Sequence, residues 1–155
     1  MVTITAREYF EAASAAQRHI DGRLAAIRAM REREGARAQS YEAIGRGGGA
    51  SDPMRATDAR IDAEARARSE LAEYERAVED ARAVCAGVRA ANPNHPSWGD
   101  VLELRYLDLY EWDRIGRALG VTGSGARQAH RQALEWVDSV GLAAAREGCG
   151  QAALF

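Results

Sequence analysis

The chain has 155 residues, a formal net charge of −2 and an aromatic content of only 6%. This length fits one domain, or a small domain with an elongated extension. The near-neutral charge excludes a uniformly basic nucleic-acid coat, so any nucleic-acid surface needs its positive charge on one face. No apolar run approaches the ~20 residues of a membrane span, and Met1–Phe10 lacks the pattern of a signal peptide. We therefore expect a cytoplasmic protein that does not enter membranes.

The first predicted element is an amphipathic helix that begins near Ala6. Thr5 can cap this helix, and Glu8 lies in its first turn, where the helix dipole favours a negative charge. Apolar residues then recur at steps of three and four: Tyr9, Ala13, Ala16, Ile20, Leu24, Ile27 and Met30. This period is typical of a helix that buries one face.

A glycine-rich break at residues 45–53 separates this helix from the next. Glycine destabilises a helix interior, and Pro53 suits a first helical position. The segment has neither the Gly-Lys-Ser/Thr ending nor the preceding strand of a phosphate-binding loop. We therefore interpret it as a linker.

The second predicted helix runs from about Met54 to Ala91 and carries a heptad seam. The seam consists of Leu71, Tyr74, Val78, Ala81, Cys85 and Val88. A helix of this length extends on the order of 55 Å and cannot bury its apolar stripe alone. We expect an all-α fold in which residues 1–91 form a long helical hairpin or coiled-coil arm. The arm is also expected to join copies of the chain into a homo-oligomer, with a dimer favoured.

A second break at residues 92–96 contains two prolines, each of which disfavours helix in the residue before it. We expect a helical domain at 97–141, followed by a tail at 142–155 that frays. Ser97 can cap the first helix of this domain, whose predicted inward residues are Val101, Leu102, Tyr106 and Leu109. The next helix, about Glu111–Leu119, presents Trp112, Ile115, Gly116 and Leu119 to the core.

The end of that helix is marked by Gly120, which can adopt the left-handed conformation that stops a helix. Val121 is predicted to turn inward, and Thr122 can cap the last helix. The last helix has an inward set of Ala126, Ala129, Ala133, Leu134 and Val137. Two short helices joined by Gly-Val-Thr predict a helix-turn-helix, a motif that places its second helix in the major groove of DNA.

The outward face of the last helix carries the predicted binding residues. No acidic residue lies between Val121 and Leu134, whereas Arg127, Gln128, Arg131 and Gln132 point away from the predicted core. Arginine bonds guanine and glutamine bonds adenine through paired hydrogen bonds, so Arg127, Gln128 and Arg131 are the predicted groove contacts. Contacts with the phosphate backbone of DNA are predicted for Thr122 and Ser124 at the helix start. The same kind of contact is predicted for Arg114 and Arg117 on the preceding helix.

Part of this segment resembles region four of bacterial sigma factors. The resemblance rests on Leu119-Gly120-Val121-Thr122, on Arg127-Gln128 and on Ala133-Leu134. It implies a helix-turn-helix that reads promoter DNA with its second helix. The family usually has a base-contacting Arg-Glu pair where this chain has Gly123 and Ser124, so the familiar promoter element is not the implied target.

A resemblance over nearly the whole chain is to a family of small phage and prophage proteins that have a region-four-like C-terminus. It rests on the order of the elements and on a spaced motif of Arg105-Tyr106-Leu107, Trp112-x-x-Ile115 and His130-x-x-Ala133-Leu134. The family is taken to consist of transcriptional regulators. The resemblance implies a regulator whose partner is double-stranded DNA. RNA polymerase is a candidate second partner.

Two other functions remain open at this point. One is a DNA-packaging adaptor like a small terminase subunit, which also joins a helix-turn-helix to oligomerising helices. The other is an interaction module that docks on RNA polymerase or another protein without reading DNA.

Metal, cofactor and catalytic sites are not expected. The three histidines, His19, His95 and His130, lack the spacing of metal ligands, and we expect His130 to pack in the core. No nucleophile, base and acid occur in a recognisable arrangement, so the protein is not expected to be an enzyme. Cys85 and Cys149 are far apart in sequence and are expected to be reduced thiols.

Overall fold

The computed structural model describes residues 3–44 and 53–149, and the side chains within them except at 38, 40–44 and 53. No strand occurs in these ranges, which confirms the all-α prediction. Except for Pro53, the predicted glycine-rich linker lies outside the described residues. The helices are α1 (Ala6–Ile44), α2 (Pro53–Ala91), α3 (Ser97–Leu102), a π-helical turn that continues α3 (Glu103–Leu107), α4 (Trp112–Leu119), α5 (Gly123–Val140) and α6 (Leu142–Arg146). Each helix in the described part of the chain is too short or too polar to cross a lipid bilayer.

The chain divides into two compact units, and the division does not follow the boundary expected near residues 91–97. Unit 1 comprises Met1–Gln17 and Glu75–Phe155, and unit 2 comprises Arg18–Tyr74. Both long helices therefore contribute residues to each unit. The difference arises because the start of α1 and the second half of α2 bury apolar residues together with the C-terminal helices.

The start of α1 is built into unit 1 by two sets of contacts. Thr5 and Glu8 form a capping box: the Glu8 amide donates to Thr5 Oγ1 at 3.1 Å, and the Thr5 amide donates to Glu8 Oε2 at 3.4 Å. The predicted Thr5 cap is thus confirmed. The Ala6 amide donates to Asp138 Oδ1 of α5 at 2.7 Å. One turn later Phe10 is fully buried and stacks on Tyr106, with the ring centroids 5.3 Å apart.

Unit 2 is a pair of antiparallel helices with a thin core. Partner numbers fall along α2 as they rise along α1, in the ion pairs Arg23–Glu70 at 3.1 Å, Arg31–Glu64 at 2.6 Å and Glu34–Arg60 at 2.6 Å. Among the described side chains of this unit, the buried apolar residues are Ile20, Ala67 and Leu71. Leu24, Met54 and Ile61 are exposed, because two helices alone cannot enclose a wide apolar stripe.

The expected frayed tail begins instead as an ordered helix. Ala145 of α6 is fully buried, and a Cβ atom built on Gly87 of α2 would lie 1.8 Å from the Ala145 carbonyl oxygen. The missing side chain at Gly87 therefore allows the backbone of α6 to lie directly on α2. Asp80 holds the same helix by accepting hydrogen bonds from Arg146 at 2.7 Å and from the Tyr9 hydroxyl. Residues 150–155 of the predicted tail lie outside the described residues.

The two thiols differ in environment, and we expect them to differ in reactivity. Cys85 is fully buried, and this burial raises the pKa of its thiol to about 12, with the Glu103 charge adding to the shift. Cys149 is exposed. Because the thiolate is the reactive form, only Cys149 should react with an aromatic disulfide reagent in the native protein, and both should react after unfolding. A Cys149→Ser variant should show no native labelling. Fast reaction of two thiols in the native protein would contradict the buried position of Cys85.

Candidate nucleic-acid interface

The end of α4 and the start of α5 are set by the residues that the sequence predicts for these roles. Gly120 ends α4 with φ 70° and donates its amide to the Gly116 carbonyl. Thr122 precedes α5, and its Oγ1 accepts a hydrogen bond from the Gly125 amide at 3.0 Å. The stop at Gly120 and the cap at Thr122 are both confirmed.

Gly116 is the point at which α4 touches the turn. A Cβ atom built there would lie 2.7 Å from the Val121 carbonyl oxygen and 3.1 Å from the Gly123 nitrogen. The sequence predicts that Gly116 packs in the core. In the structure it packs against the backbone of the turn and against the first residue of α5.

The inward prediction for Val121 is wrong. Val121 is 45% exposed. The buried cluster of Val101, Ile115 and Ala126 forms without it. The physical reason is that Val121 meets α4 through its carbonyl oxygen at Gly116. Its side chain then lies towards Gly125, where a Cβ atom would be 3.6 Å from Val121 Cβ.

The inner face of α5 is buried largely as its period predicts. Ala126, Ala133, Leu134 and Val137 are buried, and Ala129 packs against the cluster from a half-buried position. His130 is also buried, and its Nε2 lies 2.7 Å from the Tyr106 hydroxyl oxygen. The pKa of His130 is lowered to about 4, first by burial and then by the charges of Arg7 and Arg105. The imidazole is therefore neutral at pH 7, and the expectation that His130 packs in the core is confirmed.

The outer face of α5 presents the predicted groove residues to solvent. Ser124, Arg127, Gln128 and Arg131 are exposed, whereas Gln132 is half-buried. The Arg127 guanidinium carbon lies 5.9 Å from the centroid of the Trp112 ring. No acidic residue occurs in α5 before Glu135, so this exposed face combines positive charge with hydrogen-bond donors.

Two arginines around the start of α4, Arg105 and Arg114, lie over aromatic rings. Arg114 and Arg117 are exposed, and the Arg114 guanidinium carbon lies 3.7 Å from the centroid of the Tyr110 ring. Arg105 lies 4.6 Å from the Trp112 centroid and donates to the Tyr110 carbonyl at 3.1 Å. Stacking of this kind restricts the guanidinium positions before any partner arrives.

One residue near this surface is not among the predicted site residues. A Cβ atom built on Gly123 would lie 3.0 Å from Asp113 Oδ1, so a carboxylate stands at the start of α5. The sequence contains a usable signal, because Asp113 is three residues before Gly116 and shares its face of α4. Thr122 and Ser124, the predicted contacts with the DNA backbone, are both exposed at the start of α5.

Comparisons with protein-family models, with curated proteins and with solved structures gave no match. Within residues 3–44 and 53–149, no group of three or more His, Cys, Asp or Glu side chains is placed to hold a metal ion. The candidate functional surface is the exposed face of α5 with its neighbours in α4.

Proposed function

We propose that this protein is a sequence-specific, double-stranded DNA-binding regulator of transcription that uses α4 and α5 as a helix-turn-helix. In this proposal α5 enters the major groove and α4 crosses the DNA backbone. Residues 97–141 carry the DNA-contacting helices and belong to unit 1 together with the start of α1 and the second half of α2. The protein acts in the cytoplasm. The resemblance to region four of sigma factors and to phage proteins supports a phage or prophage origin.

The observation that carries the proposal is the outer face of α5. Arg127, Gln128 and Arg131 are exposed on one short helix that has no acidic residue from Gly123 to Leu134. The opposite face of that helix is held by buried residues, so the exposed side chains project from a fixed support. An overall charge of −2 requires such a local concentration if DNA is the partner.

The geometry supports separate roles for the residues of this surface. Arg127 and Arg131 can bond guanine and Gln128 can bond adenine in the major groove. Arg114 and Arg117 on α4 can reach flanking phosphates, which set the position of the protein without specifying sequence. Thr122 and Ser124 lie at the start of α5, where the proposal gives them contacts with the DNA backbone. Thr122 also caps the helix.

Association of two copies through the arm is a further part of the proposal. A single helix-turn-helix unit buries little surface, so its affinity for DNA is weak and strongly dependent on salt. The exposed apolar residues Leu24, Met54 and Ile61 on the helix pair of unit 2 support this association. A dimer would present two α5 helices and read paired half-sites.

Selection of bound sequences from a random duplex pool, followed by a double substitution, tests the proposal. The full-length protein should enrich one sequence class. Arg127→Ala/Gln128→Ala should lower the ratio of affinities for selected and random duplexes at least about tenfold, because each paired hydrogen bond to a base discriminates by 1–3 kcal/mol. Circular dichroism should show unchanged helicity, since both side chains are exposed.

Arg76→Ala is the matched control, because Arg76 is exposed on α2 and its loss also removes a positive charge. This variant should keep the wild-type sequence preference. Identical selected sequences from the wild type and the Arg127→Ala/Gln128→Ala variant would show that the groove residues are assigned wrongly. Co-purification of RNA polymerase without duplex binding would instead favour the docking module, and a ring of eight or more subunits would favour the packaging adaptor.

A further inference from the structure

Arg114 is ordered by an aromatic ring and not by a carboxylate. Its guanidinium carbon lies 3.7 Å from the centroid of the Tyr110 ring, and its side chain is exposed. No ion pair in the described part of the chain includes Arg114. By contrast, Arg89 of α2 donates to the carboxylates of Glu103 and, at 2.6 Å, of Asp100. Arg114 therefore combines a restricted position with a charge that no ion pair between described residues neutralises.

The Tyr110 ring is itself fixed in place by its backbone and by the core. Leu109 adopts φ 60°, a left-handed conformation that is unfavourable for a residue with a side chain and persists where its surroundings hold it. The Tyr110 amide donates to the Leu104 carbonyl at 2.9 Å, and the Tyr110 carbonyl accepts from Arg105 Nη1 at 3.1 Å. The half-buried side chain packs against the cluster of Val101, Ile115 and Ala126.

A guanidinium that lies over a ring keeps its hydrogen-bond donors available. The group is planar, so its face contacts the ring while the N–H groups at its edge can still bond phosphate oxygens. Stacking also removes side-chain freedom that an arginine would otherwise lose on binding a partner. A fixed arginine without a carboxylate partner therefore suits an anion from outside the protein, such as the phosphates along a DNA duplex.

We propose that Tyr110 is a positioning residue that holds Arg114 ready to bond a phosphate of the DNA backbone, an inference that rests on the proposed function. Tyr110 acts through Arg114 and does not itself contact DNA. Because phosphates are present in every sequence, the contact strengthens binding to selected and random duplexes equally. Tyr110 therefore raises affinity and leaves the ratio between the two affinities unchanged.

The variant Tyr110→Leu tests this inference, because it removes the ring and keeps an apolar side chain against the core. Its affinity for both the selected and a random duplex should fall about two- to fivefold, the worth of an exposed guanidinium–ring contact. Tyr110→Phe keeps a ring and should bind both duplexes as the wild type does. Measurements use the full chain and fluorescently labelled duplexes at several salt concentrations.

A double-substitution cycle separates positioning from a general effect on the fold. Arg114→Ala should weaken binding to both duplexes and lower the slope of log affinity against log salt by about one. Adding Tyr110→Leu to Arg114→Ala should cause no further loss, because the ring has no guanidinium left to hold. Arg117→Ala is the matched control, since Arg117 is exposed on the same helix and none of the arginine–ring contacts between described residues includes it. Adding Tyr110→Leu to Arg117→Ala should cause the full two- to fivefold loss.

Three results would overturn the inference alone in a wild type that binds duplex DNA. They are an equal loss from Tyr110→Leu in the Arg114→Ala and Arg117→Ala backgrounds, an unchanged or higher affinity of Tyr110→Leu, and a loss in Tyr110→Phe as large as that in Tyr110→Leu. Absence of duplex binding by the wild type at low salt would overturn the proposed function and this inference with it.

Discussion

Replacement of Phe10 by alanine is expected to lower the free energy of unfolding by about 3–5 kcal/mol. Phe10 is fully buried, stacks on Tyr106 and meets the edge of the Tyr9 ring at a centroid distance of 5.2 Å. The substitution removes this apolar contact area and leaves a cavity between α1 and the π-helical turn that contains Tyr106. Denaturant unfolding followed by tryptophan fluorescence measures the loss, because Trp98, Trp112 and Trp136 all belong to unit 1.

The result distinguishes two views of the N-terminal segment. If residues 1–91 formed an independent arm, Phe10→Ala would leave the tryptophan transition near its wild-type midpoint. In the structure Phe10 belongs to the core of unit 1, so the transition should move to lower denaturant. Ile4→Ala is the control: Ile4 is exposed near the same end of the chain, and its truncation should change stability by less than about 0.5 kcal/mol.

Acidification from pH 6.5 towards pH 4 is expected to destabilise the native protein by about 3 kcal/mol through His130. Burial lowers the pKa of His130 to about 4, below the ordinary 6.5. Between these values the unfolded chain binds a proton that the folded chain does not bind. The contribution of the neutral His130 to the free energy of unfolding is therefore fully present above pH 6.5. This contribution is lost progressively as the pH falls towards 4.

His130→Gln separates this effect from other titrations. Glutamine keeps a polar group near the Tyr106 hydroxyl and does not titrate, so the variant should show a much smaller slope of stability between pH 4.5 and 6.5. Carboxylates whose pKa is lowered in the fold, such as Asp80 with its hydrogen bonds from Arg146 and Tyr9, add losses of the same sign at lower pH. Equal slopes for the wild type and His130→Gln in that window would show that His130 is not responsible.

Only part of the candidate site is predictable from sequence. The exposed positions of Arg127, Gln128 and Arg131 follow from the helical period, since the opposite face carries alanine, leucine and valine. The carboxylate at the start of α5 does not follow from the charge pattern of α5, because Asp113 belongs to another helix. Likewise Val121 is exposed because its carbonyl, rather than its side chain, meets Gly116.

Local sequence alone determined that the chain is helical, where α1 begins, where α4 ends and where α5 begins. It did not determine the start of α3, where Ser97 is the first helical residue and not the cap, nor the presence of α6. Gly120, Thr122 and the Thr5–Glu8 box act on groups within four residues, so their effect is readable without knowledge of the fold. Tertiary structure decided the membership of the core. The contacts of Ala6 with Asp138 and of Tyr9 with Asp80 join residues separated by 132 and 71 positions, and no local propensity encodes such pairs. The docking of α6 on Gly87 has the same origin, because it depends on close approach of two backbones rather than on a periodic pattern.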